Sequence, residues 1–294
     1  MVETVTEDIA GRVLGALRDT SAPLWLPGLT GNLADSAWRK LGRDLQLTRA
    51  SYSTARMLRR DPEGPRRVVA YLDVPSCDGA SCEAIPIELL PEDLACGYES
   101  PDVRFIETEE ILRGGVFSRV EEALKILGGV PSLLSTVSLL IRALHLIDPA
   151  DDEIDVSFSE PALPFSAFVS VPGSNAVAGA LRVAEALLHE AMHLQLTLLE
   201  AFVPLVKPGE RTYFSPWRNE YRTPQGVLHA LYVFRVIDAF LSTKPLEGQG
   251  RLAWLHYARE RRGTIARQVQ EVHDFRECVD LTADGVAFVE RLLD

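Results

Sequence analysis

His189, Glu190 and His193 form an H-E-x-x-H string inside the apolar stretch ALRVAEALLHEAMHLQLTLLEAF. A helix turns by about 100° per residue, so residues four apart lie on one face, one turn apart. Two imidazoles so placed can bind one metal ion, and Glu190 between them is close enough to serve it. Leu187, Leu188, Met192, Leu194, Leu196, Leu198 and Leu199 surround the string. Burying two histidines and a glutamate there is costly unless their polar atoms are satisfied. A metal does this directly; hydrogen bonds from neighbouring elements are the alternative.

A catalytic ion also needs a third protein ligand and open positions. The following residues, HLQLTLLEAF, lack the Gly and His of a metzincin. Glu200 lies two turns beyond His193, too far along a straight helix to reach an ion held by the two histidines. Of the remaining histidines, His229 stands in the apolar run GVLHALYVFRVIDAFL, behind the polar loop PWRNEYRTPQG. That loop lets a second helix fold back on the first, and His229 is the expected third ligand. Asp238 and then Glu220 are the carboxylate substitutes if the set is two histidines and an acid. His145 is expected at a helix C-terminus, where the dipole favours it. His256 and His273, in charged surroundings, are expected at the surface.

The elements that must position these residues follow from periodicity. Residues 6–20 and 31–60 read as amphipathic helices, the first capped at Thr6 with Glu7 and Asp8 in its first turn. SAPLWLPGLTGN connects them. Arg67–Val74 and Ala84–Leu90 read as strands joined by the turn PSCDGASC, and 91–104 as a loop. A helix is expected over 108–127, ending at Gly128-Gly129, and another over Pro131–Ile147. Ile154–Ser159 and Phe165–Val171 alternate like strands before the motif helix. Residues 204–226 read as loop, Gly226–Leu241 as a buried helix, and the tail 248–294 as one or two more helices. The expected fold is α+β and mostly helical, with the H-E-x-x-H helix against a second His-bearing helix and a small β element before it. That local framework resembles the zincins. A single metalloenzyme domain is expected over 1–294, with 1–105 as an N-terminal helical and hairpin subregion and 106–294 as the metal-site core.

With 47% hydrophobic and 24% charged residues, the composition suits a globular protein with a sizeable core. A net charge of −12 argues against nucleic acid or anionic membrane as partner. The most apolar run, Val130–Ile147, holds Pro131, Arg142 and His145 and reads as a buried helix rather than a span. The N-terminus has early acids and no apolar core of a secretory signal, so a cytoplasmic location is expected. Cys77, Cys82, Cys96 and Cys278 have no C-x-x-C spacing and are expected as reduced thiols.

YFSPWRNEYRTPQGVLHALYVF together with LLHEAMHLQL resembles the H-E-x-x-H-type, 2-oxoglutarate-dependent peptide β-hydroxylases that act on ribosomally made, post-translationally modified peptides. In that family the H-E-x-x-H helix is followed by a Ser-Pro-Trp-Arg-like loop and a Gly-x-Leu-His helix. The matching pieces here are His189-Glu190-His193, Ser215-Pro216-Trp217-Arg218 and Gly226-Val227-Leu228-His229, and the match covers roughly residues 180–240. The resemblance implies Fe(II) bound by His189, His193 and His229, with 2-oxoglutarate and O2 as co-substrates. It further implies hydroxylation of a side-chain β-carbon in a precursor peptide. A cation must meet the distal carboxylate of 2-oxoglutarate. Arg218 is preferred, with Ser215 as helper. The family's Arg-Pro pair is replaced by Arg222-Thr223-Pro224, which keeps Arg222 as an alternative. Glu190 then orients a ligand or a bound water.

Two other classes compete. In a zinc metallopeptidase Glu190 is the general base that deprotonates zinc-bound water, with no need of O2 or 2-oxoglutarate. In a non-catalytic peptide-binding module, the edge of the Arg67–Leu90 strand pair accepts an extended chain and the protein purifies without metal.

Overall fold

The computed structural model describes residues 2–45, 68–75, 84–90, 95, 98, 103–113, 115–149, 151, 153–160, 163–173, 176–243 and 250–294. Cys77, Cys82, Cys96, the turn between the first strands and the distal part of the helix expected over 31–60 lie outside them. The chain is α+β and mostly helical. Among the described residues no helix is long and apolar enough to cross a membrane. Two compact units form: Met1–Leu33 with Met192–Pro245 and Leu255–Asp294, and Ala34–Ala191 with Leu246–Trp254. Helix α1 is Val2–Arg18 and α2 is Pro27–Leu45.

In the unit built on Ala34–Ala191, strands β1 (Val68–Leu72) and β2 (Ile85–Glu88) pair antiparallel, as expected of a hairpin. Strand β3 is Val103–Phe105; β4 is Ala143–Pro149, β5 is Ser157–Phe158 and β6 is Ser166–Ser170. The sheet order is β1-β2-β4-β6-β5, with β3 pairing the far end of β4. The central β2, β4 and β6 run parallel. Every residue of β6 is buried, and all of β4 except Asp148. Both strands are thus covered on two faces, which suits continuous apolar runs. Phe168 lies in this core, stacked on Phe158 at 4.5 Å and on His145 at 4.6 Å.

This sheet corrects one expectation. The helix expected over Pro131–Ile147 ends at Leu140, as α5 (Pro131–Leu140). Arg142 N–H then donates to the Phe165 carbonyl at 2.7 Å and the chain continues as β4. An apolar run without clear periodicity suits a buried strand as well as a helix, and pairing partners far along the chain decide. His145 is therefore no helix-terminal residue. It is fully buried in β4, with Nδ1 2.8 Å from the Glu88 carbonyl oxygen. The helix expected over 108–127 is likewise two, α3 (Thr108–Arg113) and α4 (Val116–Gly128), interrupted near Gly115.

Helix α6, Ala176–Glu200, carries the motif, and its residues from Met192 onward belong to the other unit. There the segment read as loop contains a hairpin, β7 (Tyr213–Ser215) and β8 (Glu220–Arg222). Asn219 closes its turn at φ 53°, a conformation asparagine tolerates better than most residues. Helix α7, Pro224–Leu241, starts with Pro at its first position and Thr223 as cap, accepting from Gly226 N–H at 3.2 Å. Helix α8 (Gly250–Glu271), a 3-10 turn (His273–Glu277) and α9 (Ala283–Leu293) complete the chain. Arg291, only 8% exposed, donates to the Ala16 and Ala22 carbonyls and so ties α9 to the end of α1.

Candidate functional site

The C-terminal part of α6 meets α7 through two sets of side chains. His193 Nδ1 lies 3.3 Å from His229 Nδ1, with the rings 17° from parallel. Two residues beyond His193 and three beyond His229, Gln195 and Tyr232 form a buried network. Gln195 Nε2 donates to the Trp25 carbonyl at 2.8 Å and to Thr30 Oγ1 at 2.6 Å, and its Oε1 accepts from the Tyr232 hydroxyl. Burial pushes the Tyr232 phenol far above its usual range, so it stays a neutral donor. This network sets how α6 and α7 lie against each other, and so holds the histidine pair in register.

Behind His229 stands Glu200. His229 Nε2 is 2.9 Å from Glu200 Oε2, and each side chain is only 12% exposed. Gln225 Nε2 donates to the same oxygen at 3.0 Å. A carboxylate holding the proton on Nε2 leaves the Nδ1 lone pair of His229 free toward His193. Glu200 thus reaches the histidine expected as third ligand. The signal was its position two turns beyond His193 on the same face, which gains meaning only when α7 folds back.

Two imidazole nitrogens that bind one ion at about 2.1 Å lie about 3.0 Å apart at a right angle and about 3.4 Å apart at a tetrahedral angle. The observed 3.3 Å suits two positions on a shared ion. Outer carboxylates such as Glu200 typically orient a metal-binding histidine. Among the described residues, no three His, Cys, Asp or Glu side chains gather as a metal site. His189 is half-buried on α6, one turn before His193. Glu190, 4% exposed, accepts from Ser157 Oγ at 2.8 Å within its own unit.

The residues expected to hold a co-substrate divide between interior and surface. Ser215 is fully buried, and its Oγ has no partner among the described residues. The same is true of Trp217 Nε1, whose indole lies flat on Phe234 at 5.4 Å. Arg218 is exposed in the hairpin turn, with its N–H donating to the Ser215 carbonyl at 3.2 Å. Arg222 is exposed on β8, 3.6 Å from Glu220. Asp238 is engaged by Arg262 at 2.9 Å and Arg235 at 3.4 Å. Glu220 is exposed on β8. His256 is exposed, and His273 accepts from Arg276 at 2.8 Å. Cys278 is a buried free thiol.

Replacing Glu200 with alanine should weaken Co(II) binding by roughly 10- to 100-fold, as loss of an outer carboxylate does. Titration followed by the Co(II) visible spectrum checks this, and unchanged affinity would remove Glu200 from the site. No protein-family model matches this chain, and no curated protein is similar to it.

Proposed function

We propose that the chain is an Fe(II)- and 2-oxoglutarate-dependent oxygenase that hydroxylates a side-chain β-carbon of a ribosomally made precursor peptide. The observation that carries this reading is the His193–His229 pair at 3.3 Å with Glu200 behind it, joined to the H-E-x-x-H string. His193 and His229 hold two positions of the ion, and His189, one turn away on α6, holds the third. Three histidines leave positions open for 2-oxoglutarate and O2. When bound, Fe(II) supplies the centre at which O2 is reduced, 2-oxoglutarate becomes succinate and CO2, and one oxygen atom enters the substrate C–H bond.

The chain's own residues bind and orient. Glu200 keeps the His229 proton on Nε2, so that Nδ1 is the donor atom. Ser157 holds Glu190, which fits an orienting group better than a free base. Arg218, exposed in the hairpin turn, pairs with the distal carboxylate of 2-oxoglutarate. The apolar residues around the motif, Leu188, Met192 and Leu196 among them, exclude water.

The test is anaerobic. Protein given Fe(II) and then 2-oxoglutarate should develop a visible metal-to-ligand charge-transfer band. Folded protein that develops no band and retains zinc tightly would overturn the oxygenase reading in favour of a peptidase acting through Glu190.

A further inference from the structure

We propose that the exposed β8 edge of the hairpin docks the substrate peptide as an extended, acidic segment whose side chains alternate between the faces, an apolar one packed on Phe214 and Tyr221 and an acidic neighbour against Arg222 on the opposite face. This rests on the oxygenase reading for the identity of the ligand. The hairpin has three properties that point to such an occupant.

The first is apolar. Phe214 and Tyr221 face each other across the strands with ring centroids 5.8 Å apart, edge to face. Tyr221 is 71% exposed and Phe214 38%. A single exposed aromatic needs no explanation, but a paired set on one short hairpin is a patch. The second is charge. Apart from Arg211, which Asp280 neutralises, residues 207–222 carry Lys207, Arg218 and Arg222 against Glu210 and Glu220, a slight positive excess in a chain whose net charge is −12. Arg222 faces Glu220 at 3.6 Å with both side chains more than 40% exposed. Such a surface pair is worth little, so the guanidinium is free to exchange onto a carboxylate of the ligand. The third is backbone. All of β8 is exposed, and among the described residues it pairs only with β7. An edge strand of this kind accepts an extended chain through main-chain hydrogen bonds.

The mount is firm. Tyr213 donates from its hydroxyl to Asp280 Oδ2 at 2.9 Å, and Arg211 pairs with Asp280 Oδ1 at 3.0 Å. At the other end Thr223, directly after Arg222, caps the helix of His229. A peptide aligned along β8 is therefore held in a fixed relation to that histidine.

The experiment uses the full chain, metal-free and immobilised, and two pools of short degenerate synthetic peptides. The pools are identical except that one carries fixed glutamates where the other carries fixed lysines. Because the chain as a whole is acidic, unspecific attraction favours the lysine pool. The proposal requires the reverse: roughly tenfold greater retention of the glutamate pool at low salt, declining as salt rises. Arg222→Glu should abolish or invert that preference, and Tyr221→Ala should lower retention of the glutamate pool. Leu252→Ala, at a 79% exposed residue of α8, should change nothing. Equal retention of the pools, preference for lysine, or a glutamate preference untouched by Arg222→Glu and Tyr221→Ala would each overturn the proposal. The assay contains no metal, so failure of the docking leaves the charge-transfer band intact, and failure of the band leaves the docking intact.

Discussion

His229→Ala should abolish the charge-transfer band of the anaerobic Fe(II)–2-oxoglutarate complex and lower Co(II) affinity by more than the roughly 10- to 100-fold expected for loss of an outer partner. His229 is the one group on α7 whose ring nitrogen approaches a motif histidine, at 3.3 Å from His193. Removing it takes away a donor atom, whereas removing Glu200 only frees that donor to rotate or change tautomer. The two variants therefore rank, His229→Ala below Glu200→Ala. The ranking separates a metal centre from a mere histidine pair. If His193 and His229 only hydrogen-bond to each other, metal affinity is unmoved by either variant and denaturation midpoints alone change. A band that survives His229→Ala unchanged would remove His229 from the ligand set.

Gln195→Ala should destabilise the protein by about 3 kcal/mol, from a cavity plus a buried carbonyl left without its donor. Gln195 is fully buried and uses both amide hydrogens, on the Trp25 carbonyl and on Thr30 Oγ1. In the variant the Trp25 carbonyl loses that donor. Tyr232 retains the Leu24 carbonyl at 3.1 Å, and the Thr30 hydroxyl retains the Leu26 carbonyl at 3.1 Å. Tyr232→Phe should cost less, about 1–2 kcal/mol, because the hydroxyl shared by Gln195 Oε1 and the Leu24 carbonyl is lost without a cavity. Urea unfolding monitored by tryptophan fluorescence measures both. A Gln195→Ala cost below that of Tyr232→Phe would show that the network does not fix the packing of α6 on α7.

Much of the local structure was legible in the chain. The motif helix, the helix of His229 and the strands at 68–72, 85–88 and 166–170 follow from periodicities of 3.6 and 2, which depend on near neighbours alone. His229 stands out in the same way, as the one histidine of an apolar helix behind a polar loop. The β7–β8 hairpin was missed because its prolines and short strands read as loop, although Tyr213, Phe214, Tyr221 and Arg222 flank a Pro-Trp-Arg-Asn turn.

Residue types and their spacing supply the chemistry on offer: two histidines one turn apart, a third on a later helix, and an acidic chain with a basic loop. The folded chain fixed where several further residues lie. His145 became a strand residue because the partners of β4, Glu88 and Phe168, come from distant segments. Glu200 joined His229 because two helices folded together, a contact no spacing along one helix reveals. Ser215 was buried at the end of β7, while Arg218 came to the surface in the turn and Arg222 on β8, all of whose residues are exposed. Local propensity reads out over a few residues, whereas pairing and burial depend on groups tens to hundreds of residues apart, and those contacts exist only in the folded chain.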